Sequence, residues 1–138
     1  MLKEQPAKLP IRVLVVDDSS FMRNAITRHI QRDPRFRVIA TATNGREAIE
    51  RADELKPDVI TMDVEMPEMN GIEALRQIHA KSNIPIIMVS SQTEAGAKTT
   101  IQALQHGAMD FIPKAGGFEQ LHEKLHAVVN ATRGRLAP

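Results

Sequence analysis

Short apolar runs alternate along this chain with longer stretches in which apolar residues recur every three or four positions. Ile11-Arg12-Val13-Leu14-Val15-Val16 is a β-branched run of strand length. From Phe21 the period changes, with Met22, Ala25, Ile26, His29 and Ile30 at helical spacing and Arg23, Asn24, Thr27 and Arg28 between them. Ser19 or Ser20 stands where a cap is needed, and Asp33-Pro34 stops the helix. Phe36 to Ala42 reads as a second strand. Asn44-Gly45-Arg46-Glu47 then has capping-box spacing and opens a helix that turns Ala48, Ile49, Ala52 and Leu55 inward. An Asn-Gly pair also suits a hairpin, but the residues after Gly45 do not alternate and are good helix formers.

Pro57 ends that helix, Val59 to Met62 is the third strand, and Asn70-Gly71-Ile72-Glu73 is a second box with Ile72, Leu75 and Ile78 as its buried stripe. A fourth strand, Ile86 to Val89, ends at Ser90 and Ser91. The helix expected next, roughly Thr93 to His106, is weakly amphipathic, with Ala97, Ile101 and Leu104 as core contacts and Gly107 as terminator. Asp110-Phe111-Ile112-Pro113 is a very short fifth strand. Gly116-Gly117 breaks the chain, and a last helix presents Leu121, Leu125 and Val128. Five strand-then-helix units in succession predict an α/β fold, a parallel sheet covered by helices on both faces. Residues 1–10 read as a flexible leader, 11–130 as the domain, and 131–138 as a tail or the start of a linker.

At 138 residues the chain holds one domain with a real core. Eighteen basic and seventeen acidic residues leave a formal charge of +1, so no global field argues for nucleic acid or an anionic membrane. Aromatics are four Phe, too few for the stacking platforms of single-strand binders. Cysteine is absent, which removes disulfides and thiolate chemistry. No apolar run approaches the roughly 20 residues of a spanning helix, and a cytoplasmic protein without membrane insertion is expected.

The candidate chemistry lies where the strands end. In doubly wound sheets ligands sit at the carboxyl ends of strands, and Asp17, Asp18, Asp63, Ser90 and Lys114 all fall at such ends. Three clustered carboxylates disfavour one another's ionised forms. They make sense around a hard divalent cation held by oxygen. Taken singly, each residue has an ordinary reading: an aspartate at a strand end caps or turns, Ser90 caps the following helix, and Lys114 is solvated. The His122 and His126 pair has metal-ligand spacing, but an exposed helix face is the better reading.

With the acid pair after the first strand, an acid after the third, a hydroxyl after the fourth and a lysine after the fifth, the chain resembles a receiver domain of the two-component response-regulator family. The likeness covers roughly Ile11 to Val129. Val15-Val16-Asp17-Asp18-Ser19-Ser20-Phe21-Met22-Arg23, Met62-Asp63-Val64-Glu65-Met66-Pro67-Glu68-Met69-Asn70-Gly71 and Val89-Ser90-Ser91 resemble more narrowly the amino-terminal receiver of the chemotaxis protein-glutamate methylesterase (CheB) family. That family's esterase domain does not fit in 138 residues, so a fragment and a stand-alone receiver both remain open.

The resemblance implies a flavodoxin-like (βα)5 sheet in the order 2-1-3-4-5. A strand proline at Pro113 suits the outermost place that this order gives the fifth strand. It also implies that Asp63 accepts a phosphoryl group from a sensor histidine kinase. Mg2+ would be held by Asp17, Asp18, Asp63 and the backbone carbonyl of Glu65, with Asp17 acting through water. Lys114 and Ser90 would bind phosphoryl oxygens. Ser90 and Phe111 would form the switch, read by an effector domain or partner docking on the fourth helix, fifth strand and fifth helix. Phe111 lacks the hydroxyl of a Tyr, so its coupling is expected to be softer. Ala115 stands where the family usually has proline, and the Lys114-Ala115 peptide is accordingly expected to be trans or strained, with Lys114 placed differently in the unphosphorylated state. Two other functions use similar residues. A Mg2+-dependent phosphohydrolase would need a general acid and a substrate pocket, neither of which is evident. A flavin module would need aromatics near the switch in strand order, where there are none.

Overall fold

Because β1 (Ile11–Val16) is apolar on both faces, it belongs inside a sheet. In the computed structural model of the chain, β2 (Phe36–Ala42) and β3 (Val59–Asp63) flank it, both parallel. The structure describes residues 10–66, 69–91, 94–116 and 118–136, without the side chains of 94–96 and 134–136. β4 (Ile86–Ser90) and β5 (Asp110–Pro113) complete a five-stranded sheet in the order β2-β1-β3-β4-β5. This is the doubly wound, flavodoxin-like arrangement. β5 is an edge, so the missing N–H of Pro113 breaks no continuous ladder.

Successive strand residues face opposite sides, and the chain uses both. Leu14, Val16, Ile60, Met62 and Met88 form one core with Ala48 and Ala52 of α2 (Gly45–Leu55), Leu75 and Ile78 of α3 (Gly71–Lys81) and Ala103 of α4 (Glu94–Gln105). Val13, Val15, Val59, Ile87 and Ile112 form the other. Their partners are Ile26 and Ile30 of α1 (Ser20–Ile30) and Leu121, Leu125 and Val128 of α5 (Leu121–Leu136). A single 3-10 turn, Phe118–Gln120, leads into α5.

The caps bind as their spacing predicts. Ser19 Oγ accepts from Met22 N at 3.2 Å, and the Asn44 and Asn70 side chains accept from Glu47 N at 2.9 Å and Glu73 N at 3.0 Å. Neither box closes fully, however. Glu47 accepts from Thr43 N, one residue before the cap, and Glu73 accepts from Gln77 instead.

Three sequence expectations need correction. Among the described side chains of α4, Thr100 and Ala103 are buried, whereas Ala97 is exposed, Ile101 is 57 % exposed and Leu104 is 38 % exposed. Each core residue precedes an apolar one by a single position, so the apolar stripe is turned about 100° away from the sheet. Small residues at 100 and 103 let the helix approach, and the larger ones remain outside. The stretch after Asn130, read as a tail or the start of a linker, continues the last helix to Leu136, with Thr132 buried against Val128 O and Arg133 paired to Asp58 at 3.6 Å. His122 is not on an exposed face. Its Nε2 meets the carbonyls of His29 and Ile30 at 2.8 and 3.1 Å, and its ring stacks on His29, so this nitrogen is engaged with α1. The expected leader up to residue 9, the start of the fourth helix at Thr93, Gly117 of the glycine pair and residues 137–138 lie outside the described residues.

Candidate functional site

Asp63 is the last residue of β3, and Asp17 follows β1 directly, so the parallel pairing of these strands brings both to one end of the sheet. Both side chains are fully buried, and Asp18 beside them is exposed. The three carboxylates each offer an oxygen within 4.8 Å of the others.

Local structure fixes each acid. Asp17 Oδ1 accepts from Ser19 N at 2.9 Å, and Arg23 on α1 donates to the Asp17 carbonyl at 2.9 Å. Asp63 Oδ1 accepts from Glu65 N at 3.2 Å. The acceptor loop is pressed from behind by the start of α3, where Gly71 N donates to Val64 O at 3.1 Å. A Cβ at Gly71 would collide with the Asp63 carbonyl oxygen. Only glycine permits so close an approach.

Lys114, just past β5, reaches the acids despite Ala115. Its Nζ lies 3.2 Å from Asp63 Oδ1 and 3.8 Å from Asp17 Oδ2. The Lys114 amide is tied to Ser90 O at 2.8 Å, so β4 holds its base in place. Burial works against the ammonium, but the charges of Asp63 and Asp17 outweigh it and raise the pKa of Lys114 above the ordinary lysine value. Burial first, and then the charge of Asp17, push Asp63 up to about 7, against the opposing pull of Lys114. Asp17 is raised as well, chiefly by burial. One ammonium therefore does not offset the burial of these two carboxylates.

What is left over is informative. Among the described residues, Asp17 Oδ2 and Asp63 Oδ2 are buried side-chain oxygens that accept no hydrogen bond. Orphaned carboxylate oxygens are costly, and two of them beside a third carboxylate fit a hard divalent ion such as Mg2+. The residues present thus suit the metal that the sequence implied.

Ser90, 5 % exposed, ends β4 and borders a cavity of about 370 Å3 together with Ser91, Thr100, Ile101, Leu104 and Phe111. Phe111 points outward and is 40 % exposed. The structure thus brings Asp17, Asp18, Asp63 and Lys114 together, and sets Ser90 and Phe111 on the adjoining cavity. Two contacts were not legible in the sequence. Arg23 read as a polar spacer in a helix, and its hold on the Asp17 carbonyl has no local signal. Ser91 Oγ donates to Glu65 Oε1 at 2.9 Å, linking two loops far apart in sequence.

A parallel five-stranded sheet with a buried acid cluster and a lysine at its carboxyl edge defines a receiver module. Residues 13–126 match the sequence model of the response regulator receiver domain, and the chain belongs to that family. It is 47% identical over 133 residues to a protein-glutamate methylesterase/protein-glutamine glutaminase of Geobacillus kaustophilus, covering 92% of this chain and 38% of the relative. With the corresponding Vibrio cholerae protein it shares 56% over 106 residues, 77% of this chain and 28% of the relative. The chain therefore spans roughly a third of the length of these curated relatives. The crystal structure of the response regulator domain of Thermotoga maritima CheB superposes with a TM-score of 0.79 at 53% identity, covering 87% of this chain and 96% of that one. The chain is thus a receiver domain homologous to the CheB regulatory domain. Among the described residues no helix is long and apolar enough to cross a membrane.

Proposed function

We propose that Asp63 accepts a phosphoryl group from a phosphohistidine on a sensor histidine kinase, the kinase of a chemotaxis pathway, and that the resulting acyl phosphate switches the chain's output. In this transfer a carboxylate oxygen of Asp63 forms the new P–O bond as the P–N bond breaks, and the imidazole departs. Asp18, Asp63 and the Glu65 carbonyl would hold Mg2+, with Asp17 acting through water. Once bound, the metal supplies the positive charge that in-line phosphoryl transfer requires. Asp17 and Arg23 keep the acid loop in position, Lys114 pairs with one phosphoryl oxygen, and Ser90 donates its hydroxyl to another. Ser90 drawn inward frees space into which Phe111 turns, altering the surface formed by α4, β5 and α5.

The observation that carries this reading is the pair of orphaned oxygens on Asp17 and Asp63 beside Lys114. The shares of the relatives covered support a regulatory domain, extending through α5, of a longer protein-glutamate methylesterase. In that arrangement the effector domain docks on the α4-β5-α5 face, where Ile101, Leu104 and Phe111 stay exposed. The alternative output is a stand-alone receiver that docks to a separate partner by the same face. The family match favours an acyl phosphate that accumulates over turnover by a phosphohydrolase.

Incubation with acetyl phosphate and Mg2+ tests the proposal. A receiver accumulates up to one phosphoryl group per chain and loses it slowly, and Asp63→Asn accumulates none. Continuous turnover without a trapped intermediate would instead identify a hydrolase.

A further inference from the structure

Phe111 has an apolar place to go and does not occupy it. Its ring is 40 % exposed at the rim of the cavity of about 370 Å3, whose lining of Ala97, Ile101, Leu104 and Pro113 suits an aromatic side chain. What engages the ring outside is a residue of α5. Lys124 Nζ lies 5.1 Å from the Phe111 ring centroid, 2.8 Å from the Phe111 carbonyl oxygen and 3.2 Å from Asp110 Oδ1. The same Asp110 oxygen accepts from Phe111 N at 2.8 Å. One ammonium thus contacts the ring, the carbonyl and the neighbouring carboxylate of a single segment, and Asp110 prevents it from swinging away.

We propose that Lys124, clamped by Asp110, is a latch that holds the Phe111 ring outside its cavity and so sets how often the unphosphorylated chain visits the inward state. The inference rests on the reading of Asp63 as the phosphorylated residue, and adds to it the element that opposes the switch. Phe111 carries no hydroxyl, so no hydrogen bond from the ring tip decides between its two positions. The choice lies between burial in the cavity and the cation over the ring face, and a cation at this distance gives a measurable preference. Lys124 is a positioning residue here; it acts on Phe111 and not on the phosphoryl group.

The test uses the 138-residue chain with ring-labelled phenylalanine, followed by NMR, and beryllium fluoride with MgCl2 as the phosphoryl probe. Lys124→Met keeps the chain length and removes the charge. It is expected to raise the inward population of Phe111 about threefold in the free protein and to lower the midpoint of the beryllium fluoride titration by the same factor. Lys124→Arg retains the cation and is expected to match the wild type. In a Phe111→Ala background Lys124→Met is expected to leave the midpoint unchanged, because the coupling exists only when both partners are present. An unchanged ring in Lys124→Met would overturn the latch. So would an equal shift of the midpoint in the Phe111→Ala background, since Lys124 would then act through charge alone. Failure of the wild type to bind the probe would strike the Asp63 reading and not the latch, which the ring populations of the free proteins decide independently.

Discussion

Lys114 Nζ stands 3.2 Å from Asp63 Oδ1, yet Asp63 remains pushed up to about 7. The lysine's attraction is outweighed by burial of the carboxylate and by the nearby charge of Asp17. Below about pH 7 a divalent ion entering the cluster must therefore displace a proton. Mg2+ affinity is expected to fall as pH drops through about 7, approaching tenfold per pH unit well below it. Titration of Mg2+ at several pH values, followed through the backbone amide of Glu65, checks this. Affinity independent of pH between 5.5 and 8 would mean that Asp63 is already ionised in the free protein.

The same elevation has a consequence for stability. The folded pKa of Asp63 lies above the unfolded value of 3.8. Between the two the folded state therefore holds the extra proton, and the stability contributed by this group falls as pH rises through that window. In the absence of metal, Asp63→Asn is expected to be more stable than the wild type at pH 8, by several degrees in Tm, with the advantage shrinking toward pH 4. Saturating Mg2+ should close the gap from the wild-type side. Thermal melts of both proteins across this range, with and without Mg2+, provide the measurement.

Gly71 sits where a Cβ would strike the Asp63 carbonyl. Gly71→Ala is expected to cost about 1 to 3 kcal/mol, the usual range for overpacking, and to slow phosphorylation by shifting the acceptor loop. Urea unfolding and acetyl phosphate labelling read the two effects separately.

The unexpected rotation of α4 can be tested by a pair of substitutions. Ala103, fully buried, should tolerate no enlargement, and Ala103→Val is expected to destabilise the fold by about 1 to 3 kcal/mol. Ile101→Ala, on the exposed side, should stay within about 0.5 kcal/mol of the wild type. Equal losses at both positions would restore the helix orientation expected from the sequence.

Most of the sheet was legible because its signals are local. Runs such as Ile11 to Val16 and Val59 to Met62 are short, β-branched and bounded by turn residues, and Ser19, Asn44 and Asn70 cap as their positions foretell. The acid cluster was legible because parallel strands deliver their carboxyl ends to one edge, whatever lies between them. α4 was misread for a physical reason. Periodicity reveals that a helix has an apolar stripe but not what the stripe faces, and this one faces the surface. The hold of Arg23 on Asp17, the bond from Ser91 to Glu65 and the approach of Lys124 to Phe111 join segments distant in sequence, and no pattern within either segment announces them. The last helix continues past Asn130, where the composition reads as a tail or linker, because Thr132 and Arg133 find partners in Val128 and Asp58.

Mapping the modified residue itself is the most direct measurement. The chain is phosphorylated with acetyl phosphate and Mg2+, reduced with borohydride to convert any acyl phosphate to homoserine, digested and sequenced by tandem mass spectrometry. Homoserine at position 63, and at neither 17 nor 18, is the expected result, with none formed when Mg2+ is chelated. Homoserine at another aspartate, or undiminished labelling in Asp63→Asn, would contradict the assignment of Asp63 as the residue on which this molecule's signalling turns.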